Sequence, residues 1–193
     1  MEDIKRQLCE KYPFMKKNGD IYHYFNKRKL IKKNRNKKML IFMVGVQGAG
    51  KTTYCKKNFP EYETVNLDEI LRTYLEAHSN IPFSTEVDKK VHLIFYNKIK
   101  EKLDSEGIAI VDAGVVHPAA RVEMLSILQG SYSKVILLVM NPPKSQIIRQ
   151  IKGQMANRAR PGLWEDVEEE YGFMQIQIQE NMLQMGADEV YMI

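Results

Sequence analysis

A chain of 193 residues, 44% apolar and 27% charged, is long enough to bury a core of its own, hiding roughly 70% of the unfolded surface without disulfides or a structural metal. Its two cysteines, Cys9 and Cys55, exclude a CxxC redox pair or zinc knuckle and point to a reducing, cytoplasmic setting, while the longest apolar runs, Met39 to Val44 and Val135 to Met140, fall far short of the ~20 residues that span a bilayer, and Met1 to Tyr12 lacks an apolar signal-peptide centre. The net charge of +5 is unevenly spread: residues 1–40 hold 13 Lys and Arg against 4 Asp and Glu, net +9, so 16 of the 29 bases and 20 of the 24 acids lie beyond them, net −4.

This charge step divides the chain into a basic N-terminal extension, residues 1–38, and a second unit, residues 39–193. In the extension, Ile4 and Leu8 share one face of a short helix, and Asn18-Gly19-Asp20 separates two aromatic-rich segments, Tyr12 to Met15 and Ile21 to Phe25, as in a hairpin. Eight of the twelve residues from Lys27 to Lys38 are Lys or Arg, a density that repels itself unless an anion lies against it. Two readings follow: the aromatics stack on nucleobases while the cations meet phosphates, or the aromatics form a small core and the lysines are solvated. A membrane surface is disfavoured, because the basic run has no apolar helical face.

From residue 39, strand-like runs alternate with helical patterns. Met39 to Val44, Glu63 to Asn66, Ile108 to Asp112, Val135 to Met140 and Glu189 to Ile193 are the predicted strands, which makes a three-layer α/β fold with a five-stranded parallel sheet. Val87, Val91, Ile94, Ile99 and Leu103 form one core-facing helical stripe; Trp164, Val167, Tyr171, Met174, Ile178 and Met182 form another.

Between the first of these strands and a helix lies Gly45-Val46-Gln47-Gly48-Ala49-Gly50-Lys51-Thr52, a match to the phosphate-binding loop G-x-x-x-x-G-K-[ST]. Its glycines let successive N–H groups turn inward on a phosphate, the helix N-terminus adds its dipole and Lys51 adds a mobile charge. Gly45, Gln47, Gly48, Ala49, Gly50, Lys51, Thr52 and Thr53 are therefore the expected ATP contacts, with Thr52 placed to ligate Mg²⁺. The strand Ile108 to Asp112 ends in one acid followed by Ala113, not the glutamate with which a motor-type ATPase polarises water, and the guanine-reading N-K-x-D is missing, so transfer is favoured over hydrolysis. Asp112 either positions metal or substrate at a strand's carboxyl end or caps the helix near His117-Pro118. Asp68 and Arg72, four apart at a helix start, are expected to share a cleft, the carboxylate taking the acceptor's proton and the arginine holding a phosphate; the alternative is an N-cap aspartate with an ion pair, and Glu69 is a rival carboxylate. Arg158 and Arg160, before Pro161-Gly162, read as a lid over the triphosphate or as a solvated basic turn. Cys55, one turn into the first helix, is expected to be buried.

The set Gly45-x-x-x-x-Gly50-Lys51-Thr52, Asn66-x-Asp68, Asp112 with Pro118 and Arg121, and Asn157-Arg158-x-Arg160 resembles the phage-type 5′-polynucleotide kinases, with zeta-toxin kinases as close relatives of similar layout. The resemblance implies ATP-dependent phosphorylation of a 5′-hydroxyl end of RNA or DNA, with Asp68 as general base, Arg72 on the acceptor's phosphate, Arg121 and Asp112 on the substrate side, and Arg158 or Arg160 stabilising the transferred group. The alternatives are a kinase of a nucleoside, nucleotide or nucleotide sugar, and a nucleic-acid-binding protein with a regulatory nucleotide site.

Overall fold

The computed structural model describes residues 20–22, 27–34, 36–78, 82, 84–113, 116–155, 163–180 and 182–193. In chain order these form β1 (Asp20–Tyr22), α1 (Lys27–Lys33), β2 (Met39–Val44), α2 (Lys51–Asn58), β3 (Thr64–Asn66), α3 (Leu67–Ala77), α4 (Thr85–Ser105), β4 (Ile108–Asp112), α5 (Pro118–Ile127), β5 (Lys134–Val139), α6 (Lys144–Met155), α7 (Leu163–Gln179), a 3-10 turn (Met182–Gln184) and β6 (Glu189–Met192). The strands make one parallel sheet in the order β1-β6-β5-β2-β4-β3.

Alternation along the strands divides the core into two layers. Leu40, Phe42 and Val44 of β2, with Val111, Leu137 and Val139, face the layer that holds Val91, Phe95, Leu125 and Ile147; Met39, Ile41 and Met43, with Ile110, Ile136 and Leu138, face Leu30 of α1 and Cys55 and Phe59 at α2. All six residues of β2 are buried, as a central parallel strand requires. Its neighbours β4 and β5 pair with it from Met39 onward, so the carboxyl ends of all three strands open at one rim. That rim carries the phosphate loop and Asp112.

All five predicted strands are present within a residue of the expected bounds at most ends, and a sixth joins them. Asp20–Tyr22 pairs in parallel with Glu189–Tyr191, so this part of the extension is an edge strand of the main sheet. Its expected hairpin partner, Tyr12 to Met15, lies outside the described residues, as do Ile4 and Leu8. The basic run forms α1, which buries Leu30; Lys27 pairs with Glu61 at 2.7 Å and stands 5.4 Å from the Phe59 ring centroid, and Asn34 Nδ2 donates to the Leu30 carbonyl at 3.0 Å. Arg28 and Lys32 are left on its exposed face.

In α4, started by Ser84 Oγ accepting from the Val87 N–H, the buried stripe runs Val87, Val91, Phe95, Ile99, Leu103. Phe95 takes the place expected for Ile94, which is 36% exposed, because successive steps of four hold the larger ring against the sheet. In α7 the stripe is Val167, Met174 and the amide Gln177, with Tyr171 and Ile178 half-buried on its flanks. Met182 is buried in the 3-10 turn, and the Trp164 side chain lies outside the described residues.

Candidate active site

The loop after β2 turns back on itself into α2, and its residue types follow from that path. Gly50, the N-cap of α2, has φ 95°, which a side chain would strain, and a Cβ on Gly45 would stand 2.8 Å from the Met140 carbonyl oxygen at the end of β5. No side chain caps α2, so its first N–H groups stay directed at the cleft. The cleft has a volume of about 1000 Å³ and is lined by the whole expected loop, Gly45, Gln47, Gly48, Ala49, Gly50, Lys51, Thr52 and Thr53, together with Asn66, Asp68 and Asp112. The glycine-lined cradle, open at a helix start, fits a phosphate chain.

Lys51 donates to the carbonyl oxygens of Gly45 at 2.7 Å and Val46 at 3.1 Å. Burial lowers its pKa, and the negative charges of Asp112, Glu170 and Asp68 oppose that shift. The Thr52 hydroxyl donates to Asp112 Oδ2 at 2.6 Å, and Asn66 Nδ2 donates to the same oxygen at 3.2 Å. Hydroxyl and carboxylate oxygens side by side are the hard donors that suit Mg²⁺. Asp112 is buried and is not the N-cap of α5: that helix is capped by His117, which makes no side-chain cap and stacks on Phe173 instead, centroids 4.5 Å apart.

Asn66 has a second task. Its Oδ1 accepts from the Glu69 N–H at 2.9 Å and so caps α3, which leaves Asp68 without the N-cap role and exposed in the cleft. Glu69 points elsewhere, into a second cavity. Arg72 does not join Asp68. Its guanidinium lies 3.9 Å from Glu69 and 3.9 Å from Glu76, three and four residues away on its own helix. Arg121 is likewise removed from the cleft: fully buried in α5, it donates to the Leu183 carbonyl at 3.1 Å, and burial pulls its pKa down to about 10. Arg158 and Arg160 lie outside the described residues.

Among the cleft residues not expected from the sequence are three polar ones on α6 and α7. Gln146 and Gln150 of α6 and Glu170 of α7 also line the cleft, and burial raises the Glu170 pKa against the positive charges of His117 and Lys51. Glu170 ends an acidic run in which nothing local distinguishes it from its neighbours; for Asn66, by contrast, the spacing Asn66-x-x-Glu69 carried a capping signal.

A family model described as an AAA domain, AAA_33, matches residues 40–170, from β2 into α7. The chain belongs to this AAA domain family. Within it the chain has a nucleotide-binding, kinase-like P-loop fold. Its structural neighbours include the "Pnkp1/Rnl/Hen1 RNA repair complex" (TM-score 0.57, 14% identity, 74% of this chain and 45% of that one) and a candidate kinase from Chloroflexus aurantiacus (TM-score 0.51, 16% identity, 64% and 69%). A shikimate kinase from Acinetobacter baumannii follows at TM-score 0.47, with 14% identity over 80% of this chain and 82% of that one. This chain spans less than half of the first neighbour. No curated protein matches the sequence. Among the described residues, no helix is long and apolar enough to cross a membrane.

Proposed function

We propose that the protein transfers the γ-phosphate of ATP to the 5′-hydroxyl end of RNA or DNA. The observation that carries this reading is the convergence of the phosphate loop with two carboxylates of different surroundings: Asp112, buried and hydrogen-bonded to Thr52, and Asp68, exposed in the same cleft. In this reading the loop N–H groups hold the β- and γ-phosphates, and Lys51 swings from the Gly45 and Val46 carbonyls onto their oxygens. Thr52 and Asp112 hold Mg²⁺, which supplies charge neutralisation on the triphosphate. Asp68 takes the proton of the acceptor hydroxyl as its oxygen bonds to the γ-phosphorus and the bond to ADP breaks. Arg158 or Arg160 then balances charge on the transferred group from a closing lid. Two further facts support a polymer acceptor: the cationic α1 is packed into the same body as the cleft, and a structural neighbour belongs to an RNA repair complex.

A second reading, phosphorylation of a nucleoside, nucleotide or nucleotide sugar, draws on Arg72, which pairs with Glu69 and Glu76 instead of facing an acceptor phosphate. One assay separates the two. Terminally labelled ATP is offered with 5′-hydroxyl oligonucleotides, nucleosides, nucleoside monophosphates and nucleotide sugars, and label is expected on the oligonucleotides. Label confined to the small molecules replaces the first reading with the second. Salt-sensitive oligonucleotide binding with no labelled product points to a regulatory nucleotide site.

A further inference from the structure

A second cavity, of about 690 Å³, lies beside the phosphate cleft and shares only Thr52 and Asn66 with it. One wall is α2 with Lys56 and Phe59, the other is α3 and α4, and between them runs the outer edge of β3, the last strand of the sheet. The phosphate-transfer scheme uses none of this space.

Its lining combines aromatic rings with three lysines, Lys56, Lys98 and Lys102, against two acids, Glu63 and Glu69. Tyr74 is stacked on His78 with centroids 4.3 Å apart and ring planes at 18°, and His78 Nδ1 lies 2.8 Å from the Tyr74 carbonyl oxygen, so the stack is held before any ligand arrives. Tyr62 adds another ring. Glu63 pairs with Lys102 at 2.7 Å, a lysine that Glu106 shares at 2.8 Å, and Glu69 lies 3.9 Å from Arg72, which is equally far from Glu76. Lys56 and Lys98, outside those pairs, are both exposed. Rings that accept a base face, interleaved with cations that meet phosphates, are the chemistry of a single-stranded nucleic-acid site. An extended peptide pairing along β3 would leave these cations unused.

We propose that this cavity binds the body of a single-stranded acceptor, with bases on Tyr62 and the Tyr74–His78 stack, phosphates on Lys56 and Lys98, and the 5′ end passing Thr52 and Asn66 to Asp68. The inference rests on the polynucleotide reading of the neighbouring cleft and names where that substrate lies.

The test uses the full chain and compares kcat and KM for a 5′-hydroxyl dinucleotide and a dodecanucleotide in the wild type, Tyr74→Ala and Lys98→Glu. The wild type is expected to favour the longer substrate through KM. Each variant is expected to reduce that length preference about tenfold by raising KM for the dodecanucleotide, the scale of one lost base stack. Lys98→Glu should also flatten the log–log salt dependence of dodecanucleotide binding by about 0.7. Lys98 is exposed, so this variant keeps the test open if loss of the half-buried Tyr74 ring disturbs folding. An unchanged length preference in Lys98→Glu, or no length preference in the wild type, overturns the inference and leaves the active-site reading standing. Amide-exchange protection along Thr64–Asn66 by extended peptides, with none by the dodecanucleotide, overturns it as well. Failure of the wild type to phosphorylate any oligonucleotide overturns the active-site reading and the inference together.

Discussion

The two cavities that meet at Asn66 are built from the same short stretches of chain, yet their walls differ. The phosphate cleft is built around a turn that glycine makes possible, with Lys51, Gln146, Gln150 and Glu170 about it; its neighbour has no such turn and is walled by rings, apolar side chains and lysines from three helices. Adjacent residues part company here: Asp68 faces one cavity and Glu69 the other, while Thr52 reaches both and Cys55, one turn later, reaches only the second. The difference teaches that a helix start can serve two sites when its cap is a side chain. Asn66 closes α3 and steadies Asp112 at once, so the chemistry of one cavity depends on the local structure that shapes the other.

Substitutions on the two sides should therefore fail differently. The largest effect is expected from Lys51→Ala, which should lower phosphoryl transfer by ~10³ or more while the melting temperature stays near that of the wild type, because the ammonium serves the phosphates and not the core. Asp112→Asn should raise the magnesium concentration needed for half-maximal transfer by roughly 10- to 100-fold, the range seen when ligand-orienting groups are altered, with the fold checked by circular dichroism.

Cys55 joins the two cavities electrostatically. Burial, and after it the negative charge of Asp112, push its thiol pKa up to about 11, against the opposing Thr64 hydrogen bond and Lys51 charge. The unfolded chain, with a thiol near its ordinary value, loses that proton first. Stability from this group is therefore full below about pH 9 and lost as pH rises through about 11, a change of about 3 kcal/mol. Urea titrations from pH 8 to 10.5 should show this extra decline in the wild type relative to Cys55→Ala. The smallest effect belongs to the exposed face of α1. Reversing Arg28 and Lys32 to Glu should flatten the log–log salt dependence of oligonucleotide binding by about 1.4 and leave the ATP KM unchanged. This double variant is a cleaner probe than deleting residues 1–38, which would also remove an edge strand and expose the site of Leu30.

Legibility in the sequence followed the range of the interactions involved. Met39–Val44 and the other central strands announce themselves by apolar runs, and the loop Gly45 to Thr52 by glycines whose turn is local. β1 has no such mark, since its parallel partner lies at the far end of the chain. Arg121 reads as a substrate ligand beside Pro118, but its hydrogen-bond partner, the Leu183 carbonyl, is 62 positions away and draws it inward. For Arg72 the partners are local: it lies beside Glu69 and Glu76 of its own helix, at spacings present to be read. Asp68 and Glu69 were rivals by spacing alone, and the Asn66 cap separates their directions.

That separation supplies the most direct measurement. Single-turnover transfer from saturating ATP to a 5′-hydroxyl oligonucleotide is to be followed in Asp68→Asn and Glu69→Gln, with ATP affinity measured in parallel. The account predicts a fall of ~10² or more in the transfer rate for Asp68→Asn with ATP affinity nearly unchanged, and a transfer rate for Glu69→Gln within about threefold of the wild type. A fall in Glu69→Gln as large as that in Asp68→Asn, or normal transfer by Asp68→Asn, would contradict it.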